Sequence, residues 1–254
     1  MSTDTILPPP PMPDAAPGLS EPARILDTFI APSKTFTDIR RNAMWWGPLV
    51  IMILVSLCFT VAVDQKVTFR KVVDNQIASS PKAQDRLEKA PADQREQQLS
   101  IQTKMTAGIA YAFPIFLVIV SVIGSAIMLA FFKFGANADL TFKRMLAVTM
   151  YAGLPGSIKY ALAAVVVFVG AAGDSFNMNN PIGTNLGFFL DPAGNKFLYT
   201  LGSALDVFTF WSLFLTALGV TYVCKVKKGT AYGIVFGWFA FTILLFGAIA
   251  FAFS

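Results

Sequence analysis

The chain has no histidine, two cysteines and few charges. Histidine is absent from all 254 residues, which excludes imidazole-ligated metal and histidine acid/base chemistry. The cysteines, Cys58 and Cys224, lie in separate apolar segments and fit neither a disulfide framework nor a paired metal site. Charged residues form 14% of the sequence, against about 25% in an ordinary soluble domain. These shortages argue against a soluble metalloenzyme and against a disulfide-stabilised secreted domain.

Long apolar segments occupy most of the chain. Hydrophobic residues make up 55% of it, and the mean hydropathy is +0.59. Five segments are each long enough to cross roughly 30 Å of hydrocarbon. They lie near residues 45–63, 107–132, 145–172, 197–224 and 230–253. A bilayer offers the backbone no water to bond with, so each segment must be helical. The sequence predicts an all-α fold, a polytopic membrane helical bundle of about five transmembrane helices.

The other residues divide into a tail, an amphipathic segment and a polar insert. Residues 1–20 are rich in proline and predict a disordered tail. Residues 21–43 place apolar side chains on one helical face, which predicts a juxtamembrane amphipathic helix in the cytoplasmic headgroup layer. Residues 44–254 form the membrane domain. Within it, the polar stretch 64–106 has two proline-marked helix starts and predicts a helical hairpin outside the bilayer.

The positions of lysine and arginine predict the orientation. A cytoplasmic N-terminus places ten basic residues inside: Arg24, Lys34, Arg40, Arg41, Lys133, Lys143, Arg144, Lys225, Lys227 and Lys228. The polar insert argues the other way, because it then places eight basic residues outside. The loop between the third and fourth spans has only Lys196, and the last span ends without a basic residue. We therefore expect the N-terminus in the cytoplasm and the C-terminus outside.

Two charges lie inside the predicted spans. Lys159 is in the third span and Asp206 in the fourth. A charge at membrane depth costs about 3 kcal/mol on insertion scales unless it is paired or hydrated. A mutual ion pair is geometrically allowed. The pair would either serve as a proton- or ion-coupling site or only fix the packing of the helices.

The third span also contains a proline. Pro155 supplies no amide hydrogen to the carbonyl four residues earlier, so the sequence predicts a kink there. Broken helices in transporters expose backbone groups to ions, whereas many prolines in membrane helices only bend them. In the last span, Gly233 and Gly237 form a G-x-x-x-G motif that would let another helix approach closely.

Enzymatic templates find no match in the chain. It has no glycine-rich phosphate loop, no G-x-S-x-G motif and no metal-spaced cysteine set. We therefore predict no catalytic residues, no cofactor and no metal site, and a protein that is not an enzyme. The formal charge of +5 is carried mostly beside the apolar segments, where it orients the protein, so no nucleic-acid partner is expected.

Three segments carry motifs that occur together in a known family. The first is Ala31-Pro32-Ser33-Lys34-Thr35-Phe36-Thr37-Asp38-Ile39-Arg40, followed by Trp45-Trp46-Gly47-Pro48. The second runs from Thr141-Phe142-Lys143-Arg144 through Tyr151-Ala152-Gly153-Leu154-Pro155. The third is Leu205-Asp206-Val207-Phe208-Thr209-Phe210-Trp211-Ser212-Leu213. Over roughly residues 24–253 the chain resembles the Yip domain family of Ypt/Rab-interacting-type membrane proteins.

The resemblance implies a fold and a membrane role. The family has about five spans, a cytoplasmic N-terminus and no known enzymatic activity, and its eukaryotic members engage small Ypt/Rab GTPases and other Yip-type proteins. The compact form with the insert 64–106 looks like a bacterial member, which implies the bacterial cytoplasmic (inner) membrane. The resemblance also implies a packing role for Asp206 together with Phe208 and Trp211.

Two functional hypotheses follow. The first is a non-enzymatic scaffold that organises the membrane or binds partners, its partners being the lipid bilayer and other membrane proteins or further copies of the chain. The alternative is a small transporter or permease that uses Lys159, Asp206 and the break at Pro155. An intramembrane enzyme is the third class.

Overall fold

A computed structural model describes residues 18–252 of the chain. Within that range the fold is helical, and the one extended pairing is an isolated bridge between Asn185 and Asp206. Five helical segments are long and apolar enough to cross a membrane. The predicted all-α membrane bundle is therefore confirmed. Residues 1–17 of the predicted disordered tail lie outside the described residues, as do residues 253 and 254.

The helices fall into three groups. The N-terminal pair is α1 (Glu21–Ile30) and α2 (Pro32–Ile39). The candidate spans are α3 (Trp46–Lys66), α6 (Ala92–Ala136), α7 (Phe142–Ala152) with α8 (Leu154–Phe168), α10 (Val207–Cys224) and α11 (Lys228–Ala252). The connecting elements are α4 (Phe69–Ala78), α5 (Pro81–Lys89), a 3-10 turn (Leu186–Phe189) and α9 (Lys196–Ala204).

The second span belongs to α6, a single helix of 45 residues. At 1.5 Å per residue it is about 68 Å long, more than twice the thickness of the hydrocarbon. Its first turns, which follow Pro91, therefore stand outside the bilayer as part of the polar insert. Arg70 of α4 pairs with Glu96 of α6 at 2.8 Å. The insert thus consists of α4, α5 and the projecting end of the second span.

Two of the spans contain breaks. The third span is interrupted at Gly153, just before Pro155 in the first turn of α8. The sequence predicts one continuous span over 197–224, but the structure has two helices, α9 and α10, with a break at Asp206. The physical reason is that the Asp206 carboxylate caps the first turn of α10, and this starts a new helix instead of continuing the old one.

The N-terminal helices belong to the core of the bundle. Phe36 and Ile39 of α2 are fully buried in one cluster with Tyr151 of α7 and Val220 of α10. A Cβ atom at Gly219 of α10 would lie 2.8 Å from the ring of Phe36. Only glycine therefore lets α10 approach α2 this closely. The predicted juxtamembrane segment is a packed layer of the bundle.

The close approach at Gly219 gives a first prediction. Gly219→Ala should lower the free energy of unfolding by about 1–3 kcal/mol, because the added methyl overlaps filled space beside Phe36 and Val148. Gly124→Ala on α6 is the matched control, because nothing lies within 4 Å of a Cβ there. Denaturant unfolding in detergent micelles, followed by circular dichroism, measures both variants. Equal unfolding midpoints would contradict the close packing of α2 on α10.

Candidate functional site

A buried arginine joins the two N-terminal helices. Arg24 of α1 is 2% exposed, and its Nε donates to Oδ2 of Asp38 in α2 at 2.5 Å. Its Nη1 donates to Oε1 of Glu21 at 3.1 Å. Burial alone would lower the pKa of Arg24, but its hydrogen bonds with Tyr151 and Asp38 and the charge of Asp38 hold that pKa above its ordinary value. Two carboxylates therefore balance one buried cation.

Glu21 connects this network to two membrane spans. The Tyr151 hydroxyl of α7 donates to Oε2 of Glu21 at 2.7 Å. A Cβ atom on Gly47, in the first turn of α3, would overlap the Glu21 carboxylate. The carboxylate thus lies at the N-terminus of α3, where the helix dipole favours negative charge. Four helices, α1, α2, α3 and α7, meet at this network.

Helix α1 is amphipathic, but its polar side faces the bundle. Arg24 and Thr28 are buried, and the Thr28 hydroxyl donates to the Arg24 carbonyl at 2.7 Å. On the other side, Pro22, Leu26 and Ile30 are exposed, the last two to 58% and 70%. Residues four apart lie on one face of a helix. We call Pro22, Leu26 and Ile30 the α1 stripe.

A second polar cluster surrounds Asp206, which is 1% exposed. Lys159 Nζ of α8 donates to Asp206 Oδ2 at 2.9 Å. The Thr184 hydroxyl donates to the same oxygen at 2.6 Å, and Asn185 Nδ2 reaches it at 3.5 Å. The two charges that the sequence places within spans therefore form an ion pair, with the lysine side chain 17% exposed.

The other oxygen of Asp206 caps helix α10. Asp206 Oδ1 accepts from the backbone N–H of Phe208 at 2.9 Å and from that of Thr209 at 3.2 Å. These N–H groups would otherwise have no partner at the start of the helix. Both oxygens of the carboxylate are thus engaged, so Asp206 is a fixed counter-ion and cap.

The segment that precedes α9 is fastened to the same cluster. Asn180 and Asn185 exchange side-chain hydrogen bonds of 3.2 and 2.6 Å, and the Val207 N–H donates to the Thr184 carbonyl at 3.1 Å. The loop between α8 and α9 is therefore held against the start of α10.

Comparison with known families identifies the architecture. The family model described as Yip1 domain matches residues 26–250. The chain belongs to the Yip1 domain family. It is accordingly an integral membrane protein of a family that is generally non-enzymatic. No curated protein and no solved structure matches the chain.

The three segments that carry the Yip1 resemblance meet on α1. Arg24 and Glu21 link Asp38 of the first segment to Tyr151 of the second. Trp211 of the third segment packs edge to face against Phe29 of α1, with ring centroids 5.7 Å apart. Motifs far apart in the sequence of this Yip1 domain are thus parts of one packed unit.

The residues singled out from the sequence fall into two groups. Lys159 and Asp206 form the ion pair, and Phe208 joins them through its backbone N–H. Trp211 packs on α1, and Pro155 is buried in the first turn of α8, one turn before Lys159. In the structure, Lys159, Asp206 and Phe208 therefore form one cluster. Trp211 and Pro155 lie outside it and contribute to helix packing.

Arg24, Glu21 and Tyr151 form a site that the sequence does not mark. By position, Arg24 is one more basic residue near the membrane that orients the protein. A detectable signal is the pair Arg24 and Thr28, one turn apart between apolar residues. That spacing predicts a polar stripe, but it does not tell which side of the helix is buried.

Metal chemistry has no candidate in the part of the chain that the structure describes. Among residues 18–252, no three His, Cys, Asp or Glu side chains are grouped so that they could hold a metal ion.

Proposed function

We propose that this Yip1 domain protein is a non-enzymatic scaffold that organises the membrane, or binds membrane-protein partners, through the α1 stripe. The observation that carries the proposal is the packing of α1. Its buried side holds Arg24 and Thr28 and is flanked by Ile25 and Phe29, which pack against the core, whereas the α1 stripe is exposed. Exposed apolar patches beside polar residues are typical of surfaces that contact lipid or another protein.

Rigid attachment of α1 supports a scaffold role. Arg24 ties α1 to α2 through Asp38, and Glu21 ties it to α7 through Tyr151. Because Arg24, Asp38 and Tyr151 are buried, the stripe keeps one position relative to the spans. A surface that is already ordered loses less conformational entropy when it binds.

The depth of the α1 stripe along the bundle supports contact at the boundary between hydrocarbon and headgroups. Helix α1 meets the first turn of α3 at Gly47, and the adjacent Trp46 is 53% exposed. Tryptophan is enriched where hydrocarbon meets the headgroups. At this level an apolar stripe can enter the edge of the acyl chains or receive the apolar face of a partner helix.

The proposed orientation places α1 on the cytoplasmic side of a bacterial inner membrane, with the C-terminus outside. The end of α2 and the start of α7 meet, since Arg144 Nη2 donates to the Arg40 carbonyl at 3.1 Å. Lys225, Lys227 and Lys228 connect α10 to α11 at the end of the spans that also carries Arg144. Clustered basic residues at one end are typical of the cytoplasmic side.

Substitution of the stripe tests the proposal. Deleting residues 20–41 would also remove Phe36 and Ile39 from the core, so point changes are needed. A photoreactive amino acid in place of Pro22 reports what the stripe touches in native membranes. Leu26→Ser with Ile30→Ser should lower the yield of lipid or protein adducts at least about tenfold, because burial of each large apolar side chain contributes roughly 1.5–3 kcal/mol.

A matched pair on the other side of the membrane is the control. Ile101 and Met105 of α6 are 50% and 60% exposed and are also four residues apart. Ile101→Ser with Met105→Ser should leave the adduct yield at Pro22 unchanged. A stripe variant with the same adduct yield as the unmodified stripe would rule out its role in contact.

A further inference from the structure

A cavity on another side of the bundle is not used by the proposed function. Its volume is about 340 Å³, and it lies between α3, α6 and α8. We propose that it binds one lipid molecule with an uncharged headgroup that bears hydroxyl or amide groups. The volume is within the range of about 300–1,000 Å³ that is usual for small-molecule sites.

Uncommitted hydrogen-bonding groups converge on the cavity. The side chains of Gln76, Thr106, Tyr160 and Asn179 line it. Within residues 18–252, none of these four side chains makes a hydrogen bond to the protein. Gln76 and Asn179 are exposed at the mouth of the cavity, and Thr106 and Tyr160 are partly buried farther in. All four side chains are therefore available to bond a ligand, and a few convergent polar groups in a mostly apolar cavity are typical of a ligand site.

The lining carries no charge. Every described side chain around the cavity is neutral. Lys159 engages Oδ2 of Asp206 and the Phe208 N–H engages Oδ1, so both carboxylate oxygens already have partners. A charged headgroup would lose its hydration there without gaining a counter-ion. The polar part of the ligand is therefore neutral.

The cavity is open both to water and to lipid, the two environments that an amphipathic molecule occupies. Gln76 is an exposed residue of α4, outside the spans. Ser56, deep in the lining, is ten residues before the end of α3 at Lys66, which is about 15 Å at 1.5 Å per residue. Ile109 at the edge is 68% exposed on the lipid-facing surface of α6. A headgroup can thus lie inside while its acyl chain leaves past Ile109.

Aromatic rings form the apolar wall. Tyr160 packs against Phe59 and Phe113, with ring centroids 5.5 and 6.3 Å apart. Tyr160→Phe keeps these contacts and removes only the hydroxyl. Thr106→Val is similarly close in shape, so both changes probe hydrogen bonding with little change in packing.

Photolabelling tests the site. The full chain in nanodiscs is exposed to a monoacylglycerol that carries a diazirine in its acyl chain. We expect saturable labelling near Ile109, with an apparent affinity about tenfold weaker in Thr106→Val/Tyr160→Phe, as expected for the loss of two hydrogen bonds. The control, Thr103→Val/Tyr111→Phe, changes the same residue types on α6 but outside the cavity and should bind like the unaltered protein. A second variant, Gln76→Ala/Asn179→Ala, should weaken labelling to a similar degree.

Competition distinguishes the source of the headgroup. Unlabelled monoacylglycerol should compete, whereas glycerol alone and phosphatidylglycerol should not compete at matched concentrations. Competition by free glycerol would overturn the lipid assignment in favour of a soluble polyol. Equal competition by phosphatidylglycerol would overturn the requirement for a neutral headgroup. Absent saturable labelling, or equal labelling of the cavity and control variants, would overturn the site itself.

Discussion

Replacement of Arg24 by methionine is expected to lower the free energy of unfolding by about 3–5 kcal/mol, the usual consequence of removing one partner of a buried ion pair. Methionine fills much of the volume of the side chain but leaves Asp38, which is 7% exposed, without its cation. The change also frees Glu21, so the contacts between α1, α2, α3 and α7 weaken together. Unfolding in detergent micelles, followed by tryptophan fluorescence, measures the loss.

Two companion variants make the Arg24 experiment decisive. Adding Asp38→Asn to Arg24→Met should recover part of the stability, because the uncompensated carboxylate is then neutral. Arg70→Met is the matched control. It breaks an arginine–glutamate pair whose two side chains are 40% and 69% exposed, and exposed pairs contribute little to stability. A loss of similar size at Arg24 and Arg70 would show that the buried network does not hold the N-terminal helices.

Asp206→Ala is expected to cause the second large loss of stability. Lys159 is left without its counter-ion, which costs about 3–5 kcal/mol when one partner of a buried pair is removed. Loss of the cap on Phe208 and Thr209 adds about 1 kcal/mol. Asp206→Asn should lower the free energy of unfolding by about 1 kcal/mol less than Asp206→Ala does, because the amide oxygen still accepts from those N–H groups and keeps the cap.

An exposed aspartate in the loop between α8 and α9 controls for the cap. Asp191 Oδ1 accepts from the Ala193 N–H at 2.8 Å but has no cationic partner among the described residues. Asp191→Ala should change stability by no more than about 0.5 kcal/mol, as is usual for surface positions. If Asp206→Ala and Asp191→Ala lowered the free energy of unfolding by the same amount, the cluster at Asp206 would not organise the connection between α9 and α10.

The Asp206 experiment also bears on the transporter alternative. A transporter that used the pair would show flux in proteoliposomes that changes with Asp206→Asn. The geometry gives that alternative no support, because Lys159, Thr184 and the cap of α10 engage both carboxylate oxygens. A structural ion pair predicts a change in unfolding without charge-dependent flux.

Apolar length and the positions of proline predict the helical spans and several helix ends correctly. The number of spans follows from apolar length, since 18 or more apolar residues in lipid must be helical. Two helices of the insert begin beside prolines, α5 at Pro81 and α6 after Pro91, because proline suits the first turn of a helix. The break near Pro155 likewise follows from its missing amide hydrogen, although the interruption falls at Gly153.

Features that depend on contacts between residues far apart in the chain could not be predicted from the sequence. The periodicity of α1 predicts two faces, but Arg24 on the polar face is buried because Asp38 and Glu21 neutralise it. The α1 stripe is left exposed as a result. The prediction of a continuous span over 197–224 is wrong for a similar reason. Asp206 ends one helix and caps the next only because Lys159 and Thr184 fix its carboxylate in place.

Composition and hydropathy alone determined that this protein is a helical membrane bundle, because lipid leaves the backbone no other way to form its hydrogen bonds. Tertiary structure decided which polar residues are buried and which apolar stripe is free. Burial of Arg24 and Asp206 depends on partners 14 and 47 residues away in the chain. No local pattern can specify such pairs, since their stability comes from charges that meet only after the helices have packed.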